Sequence, residues 1–515
     1  MLETVRAGAR RRPGRPPALL VLAAAVVAAA TLLPLIYLSQ RAFERGLGFV
    51  TDELLRPSTA HLVGRSLLLV AVVTAACVVL GVGFAVLLAR TAVPGRRWWA
   101  VALTLPLAMP SYLLAFLWVS LLPALHGFWG AALVLTLVSY PFVFLTTTAA
   151  LARVDPAHEE VARSLGLGSV AVLFRVTLRQ VRAAVAAGAL LVALYVLSDF
   201  GAVAAMRYEV FTWVIYGAYR SGFNPSRAAV LSLVLLVFAV GLVIAERRAR
   251  GLAASRLGPG APRPRHRAAL GRWRFAATLP GAAVLVLAVV IPSYALTQWL
   301  VAGGFRWDAD RWLSALSATI WLAVVAAAVC TVAALPLGLL SARYPSRSSR
   351  VLESAGYVAH GLPSIVVAIS MVSVGVLLLL PFYQREPLLI LGYVVLFVPL
   401  AVGSVRASIE ASPPRLDEVA QSLGRSPARV FFTVTARAAA PGIASAAALV
   451  LLTCMKELPV TLLLRPTGVD TLATRLWGYS SVSDYAAAAP YAAALLAFAT
   501  VPTAMLGAAT RNVDV

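Results

Sequence analysis

Apolar runs long enough to cross a bilayer recur along the chain, separated by short polar stretches that carry arginine, proline and glycine. Six lie near residues 17–38, 66–89, 98–121, 129–151, 183–206 and 228–245, and six more near 275–299, 317–342, 354–380, 387–405, 438–464 and 485–510. A helix needs about 20 consecutive apolar residues to span the hydrocarbon core, where helices and closed barrels alone satisfy every backbone polar group. The pattern predicts an all-α integral membrane protein with about 12 transmembrane helices. The first run follows Arg6, Arg10, Arg11, Arg12 and Arg15, as a signal peptide's would. It is longer than the roughly 7–15 apolar residues of a signal core, so a retained first span is expected.

Composition narrows the function classes. Of 515 residues, 61% are hydrophobic and 13% charged, against roughly 25% charged in a soluble domain, which leaves no room for a large appended soluble enzyme. The formal charge of +23 would point to nucleic acid in a soluble protein. Here the arginines punctuate apolar runs, so no nucleic-acid partner is expected and the lipid bilayer is the surrounding. If the N-terminus is cytoplasmic, 31 of the 44 basic residues fall in cytoplasmic segments, and by the positive-inside rule both termini are expected inside. Residues 247–274 hold nine arginines with Pro262 and Pro264 and no acidic residue. They are expected to form an extended cytoplasmic linker between a first six-span half, 1–246, and a second, 275–515. Cys77, Cys330 and Cys454 lie in apolar stretches without paired spacing and read as small buried hydrophobes.

The two halves repeat. Asp155-Pro156-Ala157-His158-Glu159-Glu160-Val161-Ala162-Arg163-Ser164-Leu165-Gly166 is echoed by Pro413-Pro414-Arg415-Leu416-Asp417-Glu418-Val419-Ala420-Gln421-Ser422-Leu423-Gly424, 258 residues on. The register holds downstream through Phe174 and Phe432, Val176 and Val434, Thr177 and Thr435, and Arg179 and Arg437. Upstream, Cys77 and Cys330, Arg90 and Arg343, Pro110 and Pro363, and Ser111 and Ser364 stand 253 apart. An even number of spans per half makes this a parallel repeat about an axis along the membrane normal.

Each copy of the loop between the fourth and fifth spans carries helix punctuation. Asp155 is placed to cap a helix beginning at Pro156 and Ser412 one beginning at Pro413, while Gly166 and Gly424 suit the left-handed position past the end. Helices of about ten residues are marginal alone in water. Val161, Ala162 and Leu165, like Val419, Ala420 and Leu423, are expected to give each an apolar stripe that a partner covers. A second helix is expected from Ser169, or from Ser426 with Pro427 next. His158 and Leu416 differ at equivalent positions, so the two surfaces are expected to be chemically unequal.

Glu160-x-Ala162 followed by Gly166, and Glu418-x-Ala420 followed by Gly424, with Val176-x-Leu178 and Val434 ten residues past each glycine, resemble the Glu-Ala-Ala loop of ABC importer permeases. In that family the loop docks on the ATPase subunit, so the resemblance implies docking residues Glu160, Ala162, Leu165 and Gly166, and Glu418, Ala420, Leu423 and Gly424. Ser198-Asp199-Phe200-Gly201-Ala202-Val203, Lys456-Glu457-Leu458-Pro459 and the run to Arg465-Pro466, with Thr471-Leu472-Ala473-Thr474-Arg475, are similar to ferric iron permeases with two fused halves. The resemblance implies the type I ABC importer permease fold as two parallel six-helix repeats in a bacterial cytoplasmic (inner) membrane. It also implies two ATP-binding ABC subunits on the cytoplasmic side, which bind the ATP, and an extracytoplasmic substrate-binding protein. Fused thiamine permeases share this architecture. Two positions depart from the family pattern: Val161 and Val419 replace its middle alanine, and Arg179 and Arg437 stand where it has a closing proline.

The chain lacks other chemistries. A phosphate-cradling Walker loop requires Gly-Lys-[Ser/Thr], and Lys456, the one lysine, follows Met455 inside a span. No helical His-Glu-x-x-His, no Gly-x-Ser-x-Gly and no Cys/His cluster occurs, so neither an enzyme nor a cofactor-bearing protein is expected. Gly81-x-Gly83 reads as helix packing by small residues. A secondary carrier with parallel repeats would show several intramembrane carboxylates or histidines; Asp199 and the Lys456-Glu457 pair are the candidates, and they are also candidate pathway residues. Asp199 and Glu457 share the 258-residue register, and Lys456 is expected to meet Asp199 across the two-fold interface.

Overall fold

The computed structural model describes residues 16–220, 224–256, 269–303, 308–358 and 362–511. Among these, nine helices are long and apolar enough to cross a membrane, and Arg96–Ala108 with Ser111–Leu121, bent by 88°, makes a tenth span. Ser364–Leu377 and Tyr485–Thr500 are shorter apolar helices. These twelve segments fall on the twelve runs expected from hydropathy.

Four of the runs are broken. The third bends at Pro110, whose extended backbone (φ −59°, ψ 136°) no helix accommodates, and its counterpart resumes after Pro363 (φ −57°, ψ 139°) as Ser364–Leu377. The fifth leaves the helix at Ser198 and resumes as Gly201–Ala205. The eleventh stops at Met455 and resumes as Pro459–Leu464. Non-helical backbone at membrane depth persists where protein surrounds it, and Asp199, at the fifth-span break, is 9% exposed. Apolar composition runs unchanged through each break, so hydropathy sees none of them.

The expected extended linker is corrected in its first part. The sixth span continues as helix through Arg256, because alanine and arginine are strong helix formers and the charged run carries the helix onward instead of ending it. Residues 257–268 of that linker lie outside the described residues, and its far end is not extended either, since Gly271–Arg274 forms a short 3-10 helix.

Packing does not follow the two halves. One hydrophobic core joins Cys77, Leu117 and Tyr140 of the first half to Ala288, Trp299, Ala489 and Leu495 of the second. The other joins Cys330, Ile365, Tyr393 and Val398 to Ala24, Leu38, Leu231 and Leu235. The outermost spans of each half thus complete the core of the other. Close approach within a half is visible at Gly81, where a Cβ would lie 2.7 Å from Val143 Cβ and 2.8 Å from the Phe144 amide nitrogen, whereas nothing lies within 4 Å of one at Gly83. The packing role expected of the glycine pair belongs to Gly81.

Exchanged cores make a prediction. If the chain is cut between residues 257 and 268 and the pieces are co-expressed, an affinity tag on one is expected to bring down the other in detergent, and either piece alone should be depleted from the membrane. Two pieces that accumulate separately and do not co-purify would contradict the exchange.

Candidate docking and pathway sites

The first loop helix is Pro156–Ser164, with the Asp155 carboxylate accepting from the Ala157 amide at 3.0 Å. It closes around Gly166 (φ +84°), where Leu167 N–H donates to the Ala162 carbonyl at 3.1 Å and Gly166 N–H to that of Arg163 at 2.9 Å. This is the double closure that a left-handed residue past a helix end permits. The second copy, Pro414–Ser422, closes identically around Gly424 (φ +80°), with Arg425 N–H to the Ala420 carbonyl at 3.2 Å and Gly424 N–H to that of Gln421 at 2.9 Å.

The cap expected of Ser412 is corrected. The second helix begins at Pro414 with no side-chain cap, and Pro413 is extended (φ −62°, ψ 123°), because a residue preceding proline is pushed out of the helical region. Ser412 is instead the end cap of the preceding span, and its carbonyl accepts from Arg343 at 3.1 Å.

The single apolar stripe is corrected too. Successive helix residues are 100° apart, so Ala162 sits about 100° round from Val161 and about 60° from Leu165, at the inward edge of the stripe. Ala162 and Ala420 are buried, while Val161, Leu165, Val419 and Leu423 are exposed, the two leucines by more than three quarters. Phe174 and Phe432 are exposed beside them. Glu160 and Glu418 are exposed as well, and so are His158 and Leu416, which keeps the two outer surfaces unequal.

The inward faces hold residues the sequence reading passed over. Glu159 is buried, 2.7 Å from Arg90 at the inner end of the second span, and accepts from the Thr177 hydroxyl at 2.9 Å; Arg163 stands 3.8 Å away. Asp417 repeats this with Arg343 at 3.1 Å and Thr435 at 2.8 Å. Each threonine ends a π-helical turn, Leu173–Thr177 or Phe431–Thr435, on the approach to the fifth or eleventh span. The helix then runs on without a break through Arg179 or Arg437, both exposed, so loss of the family's closing proline leaves the approach helical.

The carboxylates of the fifth and eleventh runs are built into the breaks. Asp199 accepts from the Ser111 hydroxyl and, at 2.8 Å, from the Ala202 amide, and Thr212 donates to its carbonyl at 2.7 Å. Glu457 accepts from the Val460 amide at 3.1 Å, its carbonyl takes the Thr461 hydroxyl at 2.9 Å, and Ser364 is a hydrogen-bonding neighbour. One break in each half is thereby tied to the other break of the same half. The expected Lys456–Asp199 pair does not form among the described residues: Asp199 is committed to Ser111 and the backbone. At the meeting of the halves, Trp477 packs edge-on to Phe116 at 5.4 Å and lies 5.5 Å from Phe200. All three cysteines are buried, and no group of three His, Cys, Asp or Glu that would hold a metal occurs among the described residues.

The sequence pattern of the binding-protein-dependent transport system inner membrane component matches twice, over residues 78–247 and 334–514, each match spanning one of the repeated loops. The chain belongs to this family. The permease is 35% identical over 499 residues to the Fe(3+)-transport system permease protein FbpB 2 of Haemophilus influenzae, covering 96% of this chain and 99% of that one. Sulfate permease 2, chloroplastic, of Chlamydomonas reinhardtii is 25% identical over 231 residues, 41% of this chain and 62% of its own. Phosphate transport system permease protein PstA 1 of Mycobacterium tuberculosis is 33% identical over 127 residues, 24% of this chain and 41% of its own. The protein is the permease subunit of an ABC importer, a multi-pass inner-membrane transport component that works with ATPase and binding-protein partners.

Proposed function

We propose that the permease carries ferric iron, handed over by an extracytoplasmic binding protein and driven by two separate ATPase subunits that dock on Pro156–Ser164 and Pro414–Ser422. The observation that carries the iron reading is collinearity: the ferric iron relative aligns over nearly the whole of both chains, whereas the sulfate and phosphate relatives align with less than half of this one. Docking is supported by two helices of one design, each holding a carboxylate and an alanine inward and an apolar pair outward. Exposed apolar residues rimmed by charge mark contact surfaces. Both termini are cytoplasmic in this reading, and the chain binds no ATP of its own. The pathway runs past the breaks at Asp199 and at Lys456-Glu457.

Uptake of radiolabelled ferric iron into cells expressing the permease with its neighbouring ATPase and receptor genes tests the substrate. Iron is expected to accumulate only when all three are present. Receptor-dependent accumulation of thiamine, sulfate or phosphate in its place would overturn the iron reading and leave the permease assignment standing.

A further inference from the structure

The loop between the fourth and fifth spans is covalently joined to those two spans and to no others. The second span reaches it through Arg90, which meets Glu159 at 2.7 Å beside the Thr177 hydroxyl. In the second half Arg343 of the eighth span meets Asp417 at 3.1 Å beside Thr435. All six residues keep the repeat register, the arginines 253 apart and the others 258. Both arginines are nearly covered, at 12% side-chain exposure, so these pairs are not the solvated surface bridges that contribute little.

We infer that Arg90, Glu159 and Thr177, and Arg343, Asp417 and Thr435, are positioning residues: two clasps that make each docking helix move as one body with the inner ends of the spans on either side of it. The inference rests on the docking reading above. A helix of nine residues held only by its two loops would tilt under load, and a push on its exposed face would dissipate in the loops. With the clasp closed, displacement of Val161 and Leu165 is passed through Glu159 both to the second span and to the π turn that begins the fifth. The π turn suits this role, since its widened coil offers Thr177 a position that an α-helical turn would not, and such turns recur at functional sites. Coupling between sites in proteins typically amounts to about 5–150-fold, so loss of both clasps is expected to lower transport per ATP by about tenfold or more.

The test uses the full importer, permease with ATPase and receptor, in proteoliposomes. Glu159→Gln with Asp417→Asn, and separately Thr177→Val with Thr435→Val, are expected to hydrolyse ATP at near wild-type rates while substrate imported per ATP falls about tenfold. Thr177→Ser with Thr435→Ser, which keeps the hydroxyls, is expected to restore the ratio. Unchanged transport per ATP in both pairs would overturn the inference, and so would loss of ATPase co-purification in both, because the residues would then merely hold the fold. Docking is read independently from cross-linking of Leu165→Cys and Leu423→Cys to the ATPase in the otherwise unaltered permease. Failure there overturns the docking reading itself, whatever the clasp variants do.

Discussion

Asp199→Leu is expected to deplete the permease from the membrane, while Asp199→Asn leaves its abundance near wild type. The leucine strands the Ser111 hydroxyl and the Ala202 amide, both buried against Asp199, and each buried polar group left without a partner costs about 1–3 kcal/mol. Asparagine keeps an acceptor oxygen for the amide and another hydrogen-bonding group for the serine. Quantitative immunoblots of membranes, with thermal melting in detergent, check the pair. Equal abundance and melting for the leucine and asparagine variants would show that the break holds itself open without the carboxylate. Glu457→Leu is expected to be milder than Asp199→Leu, since Glu457 is less covered.

Valine at Gly166 and Gly424 together is expected to reduce uptake at least tenfold with the permease still inserted. At φ +84° and +80° a β-branched residue is a true outlier, and holding one there costs about 1–3 kcal/mol. Nothing lies within 4 Å of a Cβ at either glycine, so the damage comes from the backbone alone and unwinds the closing turn that sets the exposed leucine. Asparagine, which tolerates this region, should fall between. Normal uptake by the double valine variant alongside undiminished ATPase pull-down would count against docking through these helices.

How much of this was legible in the residues depends on what each residue answers to. The twelve apolar runs and the two glycine-closed helices follow from hydropathy and from φ preferences that act locally, and both appear as expected. The breaks at Asp199 and Glu457 were invisible because these carboxylates bond forward to the amides of Ala202 and Val460, which composition does not register. The clasps and the breaks both left a signal in the repeat register. Arg90 with Arg343, Thr177 with Thr435, and Ser111 with Ser364 keep register across the repeat, and they served as marks of duplication when their polarity at apolar borders also marked buried contacts. Glu159 and Asp417 stand one residue before Glu160 and Glu418 and 100° around the helix, and the family pattern marks the exposed carboxylate of each pair, not the buried one. The pairing of Lys456 with Asp199 failed because counting charges ignores neutral partners such as Ser111.

The exchange of outermost spans between the cores bears on how the chain is made. While the ribosome is still adding the second half, Cys77, Leu117 and Tyr140 lack Ala288 and Trp299, and they lack Ala489 and Leu495 until the final span has been inserted. The N-terminal portion therefore waits in the bilayer as an unfinished bundle with one side turned to lipid. The core of the first half is completed by segments made late, so a product released early exposes unsealed helices to membrane proteases, and the fusion of the halves guarantees that the missing pieces arrive on the same chain.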